Sequence, residues 1–203
     1  MPRGKRLFDL FWAGVGLLVL WPLFLLIALW IRLDDGGPVF YRQERVGCNA
    51  KPFRVWKFRT MVTNAETLGT LLTVAEDPRL TQVGRWLRRF KLDELPQLFN
   101  VVTGDMSLVG PRPEVPRYVA RYTPEQRSIL KLVPGITDPV AIANWDESAL
   151  LGSSDPERVY LEQLLPEKIQ ASLRYGQSAT VWTDFLVILQ TIGKPWANVL
   201  SPR

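Results

Sequence analysis

From Leu10 to Ile31 the chain reads LFWAGVGLLVLWPLFLLIALWI, with no charged residue. As a straight helix this run measures about 33 Å, enough to cross a hydrocarbon core. It is too long for the apolar part of a cleaved signal peptide, and no A-x-A-like site follows before RLDDGGP. Pro22 stands at its centre, where it removes a backbone hydrogen bond and crowds the Leu18 carbonyl, which predicts a kink or break. Cations flank both ends: Arg3, Lys5 and Arg6 before, then Arg32, Arg42, Arg45 and Lys51 after. The positive-inside rule then asks for both ends in the cytoplasm. Two readings stand at this point. One is a single-pass anchor with a proline kink, and the other is a hairpin of two halves, about 16 Å each, that enters one leaflet and returns.

The remainder of the 203 residues is long enough for one globular domain. The chain has no histidine, which removes histidine triads, general bases and metal ligands together. The single cysteine, Cys48, excludes an internal disulfide and fits a reducing compartment. Without a histidine partner it reads as a bystander. A formal charge of +5 suits anionic partners, whether bilayer, nucleotide or nucleic acid, and does not choose among them.

After the turn-rich DDGGP (34–38), the alternation of VFYRQERVGCNAKPFRVWKFRTM predicts strand, turn and strand, with the turn near Gly47–Asn49. On the second strand Lys57 and Arg59 share a face, about 7 Å apart. They form a solvated surface or a pinch for a diphosphate. Residues 62–76 carry no clear period and read as a loop. Asp77–Pro78 reads as a helix N-cap with proline at the first helical position, and Thr123 to Gln126 as a capping box opening a helix that runs to about Val133. Asp155–Pro156 opens another helix, broken near Pro166, and a further stretch ends near Gly176. In the last segment Val181, Trp182, Phe185, Leu186, Ile188, Leu189 and Ile192 make one apolar stripe, with Trp182 and Trp196 at its ends. It suits a core helix or one lying in the bilayer interface.

KLDELPQLFN (91–100) sets Asp93 beside Glu94 just after the basic RWLRRFK (85–91). Because Pro96 cannot sit deep in a helix, the helix should begin near Leu92 or Asp93, placing both carboxylates in its first turn, where anions are favoured. Adjacent helical residues diverge by about 100°, so the two carboxylates have separate jobs. A cap with solvated ion pairs is one reading, and a site for a phosphate, a metal and a nucleophile is the other. Arg88 lies close upstream. Downstream, in GDMSLVGPRP (104–113), Pro111 and Pro113 hold Arg112 on a stiff mount.

KRLFDL, GPVFYRQERVG, KFRTM (57–61), LDELPQLFNVVTGDMSLVGPRP (92–113) and VPGIT (133–137) together resemble the monotopic phosphoglycosyl transferases, bacterial sugar transferases acting on a polyprenyl phosphate. The resemblance spans most of the chain. It implies transfer of a sugar 1-phosphate from a UDP-sugar to undecaprenyl phosphate with release of UMP, and a membrane helix that breaks at Pro22 and re-emerges on the cytoplasmic face of the bacterial inner membrane. It implies Asp93 as nucleophile and magnesium ligand, Glu94 as its dyad partner, and Lys57, Arg59, Arg88 and Arg112, with Pro111 and Pro113, as substrate-binding residues. The cofactor implied is Mg2+. Nearby cations and the helix terminus should keep Asp93 ionised. After PGIT many members continue GWAQVNGR, whereas this chain reads DPVAIANWDESALL, so Trp145 stands where the family has arginine and inherits no role.

The expectation is an α+β fold, mostly helical with a small β-hairpin. Residues 1–34 form the re-entrant hairpin and residues 35–203 a cytoplasmic-face catalytic domain, which looks like the minimal catalytic form of the family. Its partners are the UDP-sugar donor, the undecaprenyl phosphate acceptor and the phospholipid bilayer, with no nucleic acid and with a homodimer left open. The rival reading is a single-pass anchored basic scaffold without catalysis.

Overall fold

The computed structural model describes residues 1–65, 68, 77–145 and 156–200. Helix α1 (Arg3–Asp35) is followed by a hairpin of β1 (Phe40–Val46) and β2 (Pro52–Phe58), in the register Phe40 opposite Phe58 and Val46 opposite Pro52. The hairpin turn, Cys48–Ala50, falls where the sequence predicts it and uses left-handed backbone at Asn49 and Ala50. Helix α2 (Gln82–Arg89) leads through a tight 3-10 turn, Leu92–Glu94, to α3 (Gln97–Thr103). Strand β3 (Ser107–Val109), the short α4 (Pro116–Val119) and a 3-10 helix (Gln126–Lys131) precede β4 (Gly135–Thr137). Helices α5 (Pro139–Ala143), α6 (Pro156–Val159), α7 (Leu165–Ser178) and α8 (Val181–Leu200) complete the described chain. Over the described residues the fold is mostly helical with two small sheets.

Several local expectations meet a different outcome. Helix α1 stays helical through Pro22 rather than breaking into two helices. Asp77 caps no helix. Its carboxylate holds Arg79 at Nε (2.8 Å), Nη2 (2.6 Å) and the backbone nitrogen, and α2 starts four residues after Pro78 with Thr81 Oγ1 accepting from Gly84. Thr123 and Gln126 do exchange the reciprocal bonds of a capping box, 2.9 and 3.3 Å, but open a 3-10 helix that ends at Lys131. The break expected near Pro166 is a π-helical turn, Tyr160–Leu164, which absorbs the missing proline donor. Most of the loop expected over 62–76 lies outside the described residues. Strands β3 and β4 form a parallel pair, Ser107 with Gly135 and Val109 with Thr137, that three-residue segments could not announce. Only glycine fits where they part, because a Cβ on Gly135 would stand 2.0 Å from the Gly110 nitrogen.

Helix α1 is fastened to the rest at both ends. Near its start, Arg6 donates to the Val101 and Val102 carbonyls (2.6 and 3.0 Å) at the end of α3, and fully buried Asp9 accepts from Ser107 Oγ and the Leu108 nitrogen. Lys5 bridges Asp9 and Asp184 of α8, at 2.7 Å each. At the far end Asp34 accepts from the Val83 nitrogen at the start of α2, and Asp35 pairs with Arg59 just past β2. Between these points Ala13 packs with Leu98 and Val101, and Ile27 and Ile31 with Phe58, Val83 and Leu87. A third core joins Tyr118, Tyr122 and Ile129 to Tyr160, Leu165 and Ile169. The opposite side of α1 is exposed and apolar, including Phe11, Leu18, Trp21, Leu26 and Leu33. On α8 the inward side holds Asp184 and Val187, while Trp182, Leu189 and Ile192 from the apolar stripe face outward.

Candidate active site

Three elements bring the carboxylate pair to its neighbours. Phe90 closes α2, and Lys91 takes left-handed backbone (φ 56°, ψ 22°) that swings the chain into the Leu92–Glu94 turn. Pro96 then leads into α3. Asn100, on α3 and only 2% exposed, accepts from the Trp56 nitrogen and donates to the Arg54 carbonyl, both at 2.9 Å. These bonds occupy the edge of β2 that β1 leaves open and fix the pair in register with Lys57, the next residue along the strand.

Glu94 is 8% exposed and fully engaged. Lys57 Nζ lies 2.7 Å from Oε1, and the Arg112 guanidinium forks onto both oxygens, at 3.0 Å to Oε2. The Arg112 mount is held by more than its prolines. Pro111 accepts from the Gly135 nitrogen, Pro113 from Arg45 Nη1, and Glu114 from the Val46 nitrogen. Burial alone would push the Glu94 carboxyl up, but Arg112 and Lys57 outweigh it and hold the group well below the usual carboxylate range.

Asp93 is the opposite case. It is 4% exposed, and its buried Oδ1 has no hydrogen-bond partner among the described residues. Burial pushes its carboxyl up, and neighbouring Glu94 adds to this, while Lys57, Arg88 and Lys91 oppose it. Nearby cations therefore do not depress the Asp93 carboxyl, and the net shift is upward from the usual carboxylate value. Lys57 and Arg112 are committed to Glu94, and the Arg88 Nε donates to Thr60 Oγ1 at 3.0 Å, so desolvation prevails. Two adjacent carboxylates pushed in opposite directions are the arrangement that lets one react while the other organises.

Of the residues singled out in the sequence, the structure brings Asp93, Glu94, Lys57, Arg112, Pro111 and Pro113 together, with Arg88 near enough to act on Asp93. Arg59 is placed elsewhere. Beyond the end of β2 its guanidinium is gripped by both oxygens of Asp35, with further bonds to the Pro38 and Met61 carbonyls. Sequence reasoning missed Asn100, although it closes the DELPQLFN motif, and it read Arg45 only as a flanking cation, whereas it lies half-buried beside Lys57 and Arg112. A mid-helix asparagine followed by apolar residues was the available signal for the first.

Among the described residues no three histidine, cysteine, aspartate or glutamate side chains gather as a metal site. A divalent ion would find the single orphaned Asp93 oxygen, since Glu94 is taken. That suits magnesium, which commonly takes one or two carboxylates and fills its remaining positions with water and substrate phosphates.

The family described as Bacterial sugar transferase matches residues 2–198. The chain is 40% identical over 203 residues to an undecaprenyl-phosphate glucose phosphotransferase of Komagataeibacter xylinus, covering 93% of this chain and 35% of that protein. It is 36% identical over 197 residues to a UDP-glucose:undecaprenyl-phosphate glucose-1-phosphate transferase of Escherichia coli (strain K12), covering 96% and 40%. A UDP-N-acetylgalactosamine-undecaprenyl-phosphate N-acetylgalactosaminephosphotransferase of Aeromonas hydrophila is 35% identical over 193 residues, covering 93% and 42%. The chain thus spans between 35% and 42% of the length of these relatives. The match over nearly its whole length, with the carboxylate pair and its cations inside it, makes the chain a member of the bacterial sugar transferase family.

Proposed function

We propose that this protein transfers a sugar 1-phosphate from a UDP-sugar to undecaprenyl phosphate. The observation that carries the reading is the pair itself: a buried Asp93 oxygen without a partner among the described residues, beside a Glu94 locked by Lys57 and Arg112. The Asp93 carboxylate attacks the β-phosphorus of the donor. A bond forms between Oδ1 and phosphorus, the bond from the β-phosphorus to the bridging oxygen breaks, and that oxygen leaves with UMP. A phosphate oxygen of undecaprenyl phosphate then attacks the same phosphorus, the bond to Asp93 breaks, and polyprenyl-diphosphate sugar departs. Covalent catalysis of this kind divides one displacement into two and gives ping-pong kinetics. Lys57, Arg88 and Arg112 supply positive charge where the phosphates gather, and Glu94 holds two of these cations in place. Magnesium, when bound at Asp93, neutralises diphosphate charge.

The membrane reading follows from α1. Both of its ends are tied to the same body, by Arg6 and Asp9 at one and by Asp34 and Asp35 at the other. A helix crossing to the far side of a bilayer would have to give up one set of bonds. We therefore place α1 as a bent insertion that enters and leaves on the cytoplasmic face of the bacterial inner membrane, with the outward stripe of α8 lying at the interface.

Purified protein incubated with magnesium, a UDP-sugar and undecaprenyl phosphate is expected to release UMP, and Asp93→Asn to abolish that release. An Asp93→Asn protein as fast as wild type refutes the nucleophile. Periplasmic labelling of a cysteine introduced at residue 2, in a Cys48→Ser background, refutes the re-entrant insertion.

A further inference from the structure

Lys91 and Trp145 meet at the carboxylate pair, and neither has a part in the chemistry above. Lys91 is one of three non-glycine residues with positive φ among the described residues. The other two shape the hairpin turn, whereas Lys91 shapes the turn that presents Asp93 and Glu94. Left-handed backbone strains a residue with a Cβ, and such strain gathers at ligand clamps. The Lys91 charge acts on both carboxylates, yet among the described residues its ammonium has no salt-bridge partner. It lies instead over the indole of Trp145, 5.6 Å from the ring centroid.

Trp145 reaches this position on a firm base. Strands β3 and β4 are parallel, so the segments leaving their C-terminal ends emerge on one side. The segment after β3 carries Arg112 to Glu94, and the segment after β4, which runs through α5 and its C-cap Asn144, carries Trp145 to Lys91. Helix α5 is capped by Asp138, which accepts from the Ala141 nitrogen at 2.6 Å and from Ser172 Oγ at 2.9 Å.

A lysine over an aromatic face is held without a hydrogen bond. A charge-assisted hydrogen bond to phosphate is the stronger contact, so an arriving diphosphate draws the ammonium off the ring. Once the ammonium moves, the indole face is uncovered beside the reacting phosphorus. In a nucleoside-diphosphate sugar the group bonded to the β-phosphate is the sugar, while the base lies beyond the α-phosphate and ribose. A ring one lysine side chain away from the nucleophile's own turn therefore meets the sugar, whose C–H face is apolar enough to pack on an indole.

We infer that Lys91 and Trp145 form an exchangeable donor clamp, in which the ammonium passes from the indole to the diphosphate and the uncovered indole takes the C–H face of the donor's sugar. This rests on the transferase reading and adds to it the residue that distinguishes a UDP-sugar from UDP.

The test measures UMP release from UDP-glucose, UDP-galactose and UDP-N-acetylgalactosamine with undecaprenyl phosphate, and inhibition by UDP. Trp145→Leu keeps apolar bulk without a ring face. It is expected to raise the KM of the preferred donor about tenfold, the equivalent of about 1.4 kcal/mol, with the Ki of UDP within twofold of wild type. Trp145→Phe is expected to recover most of the lost affinity. Lys91→Met is expected to raise the donor KM and the UDP Ki together. The clamp is overturned if Trp145→Leu shifts donor and UDP alike or leaves both unchanged, if phenylalanine is no better than leucine, or if Lys91→Met leaves the UDP Ki as it was. A wild-type protein that releases no UMP from any donor overturns the transferase reading and the clamp with it.

Discussion

Asn100→Ala isolates how the carboxylate pair is held in place. The side chain makes two 2.9 Å bonds to the open edge of β2 and carries no charge of its own. Removing it leaves the Trp56 N–H and the Arg54 carbonyl without those partners. Each orphaned buried group costs about 1–3 kcal/mol, so the loss is about 2–5 kcal/mol after partial access of water. Against a total of about 5–15 kcal/mol, that is a large share. For a domain of this size each kcal/mol moves Tm by about 2–4 °C, which predicts a fall of about 4–20 °C by thermal denaturation in detergent. The same change frees α3 to slide along β2, so Asp93 and Glu94 lose register with Lys57. At a temperature where the variant is fully folded, kcat/KM for UMP release is expected to drop at least about tenfold, because small misplacements of reacting groups are costly. A Tm within 2 °C of wild type, or full activity in a destabilised variant, refutes the claim that Asn100 sets the position of the pair.

Other consequences are equally open to measurement. Gly135→Ala drives a methyl group into the Gly110 backbone and is expected to destabilise the fold by at least about 3 kcal/mol in denaturant titration. The Arg59 guanidinium holds the Asp35 carboxyl below the usual carboxylate range. A depressed folded pKa gives stability that is present above the unfolded value and lost as pH falls through the folded one. The Tm gap between wild type and Asp35→Asn should therefore be full at pH 7 and close on acidification below pH about 4. Replacing outward Trp182 and Ile192 together with serine is expected to weaken binding to anionic phospholipid vesicles in flotation assays, with little change in Tm, because both side chains are exposed.

Local signals survived into the structure and tertiary ones did not. The alternation of FYRQERV and PFRVWKF gave the hairpin and its turn, and the Thr123–Gln126 box formed as spaced, because each depends on neighbours in sequence. Arg59 reads as a partner of Lys57 on a strand face, but β2 ends at Phe58 and the next residue turns to Asp35 of α1, a pairing between distant segments that no period encodes. Asp77–Pro78 has the chemistry of a helix start, yet the aspartate prefers the arginine two residues on. The acidic pair itself was legible as a motif. That Glu94 would absorb the cations and leave Asp93 to burial required knowing that Lys57 and Arg112 converge on the same carboxylate. The apolar stripe of α8 was visible too, but its outward direction was set by Asp184, drawn inward by Lys5 and Tyr175.

Asp34 seizes the first turn of α2 and Arg6 the last turn of α3, so the stretch from Val83 to Val102, with Asp93 in its midst, is strung like a hammock between the two ends of one long apolar helix. With α1 inserted as proposed, the altitude of Asp93 over the acyl chains is a property of that helix and cannot be tuned by the softness of a tether. A version shorn of residues 1–35 would lose both suspension points and the Ile27 and Ile31 contacts beneath them. The placement of Asp93 is therefore not expected to survive in a version made without α1.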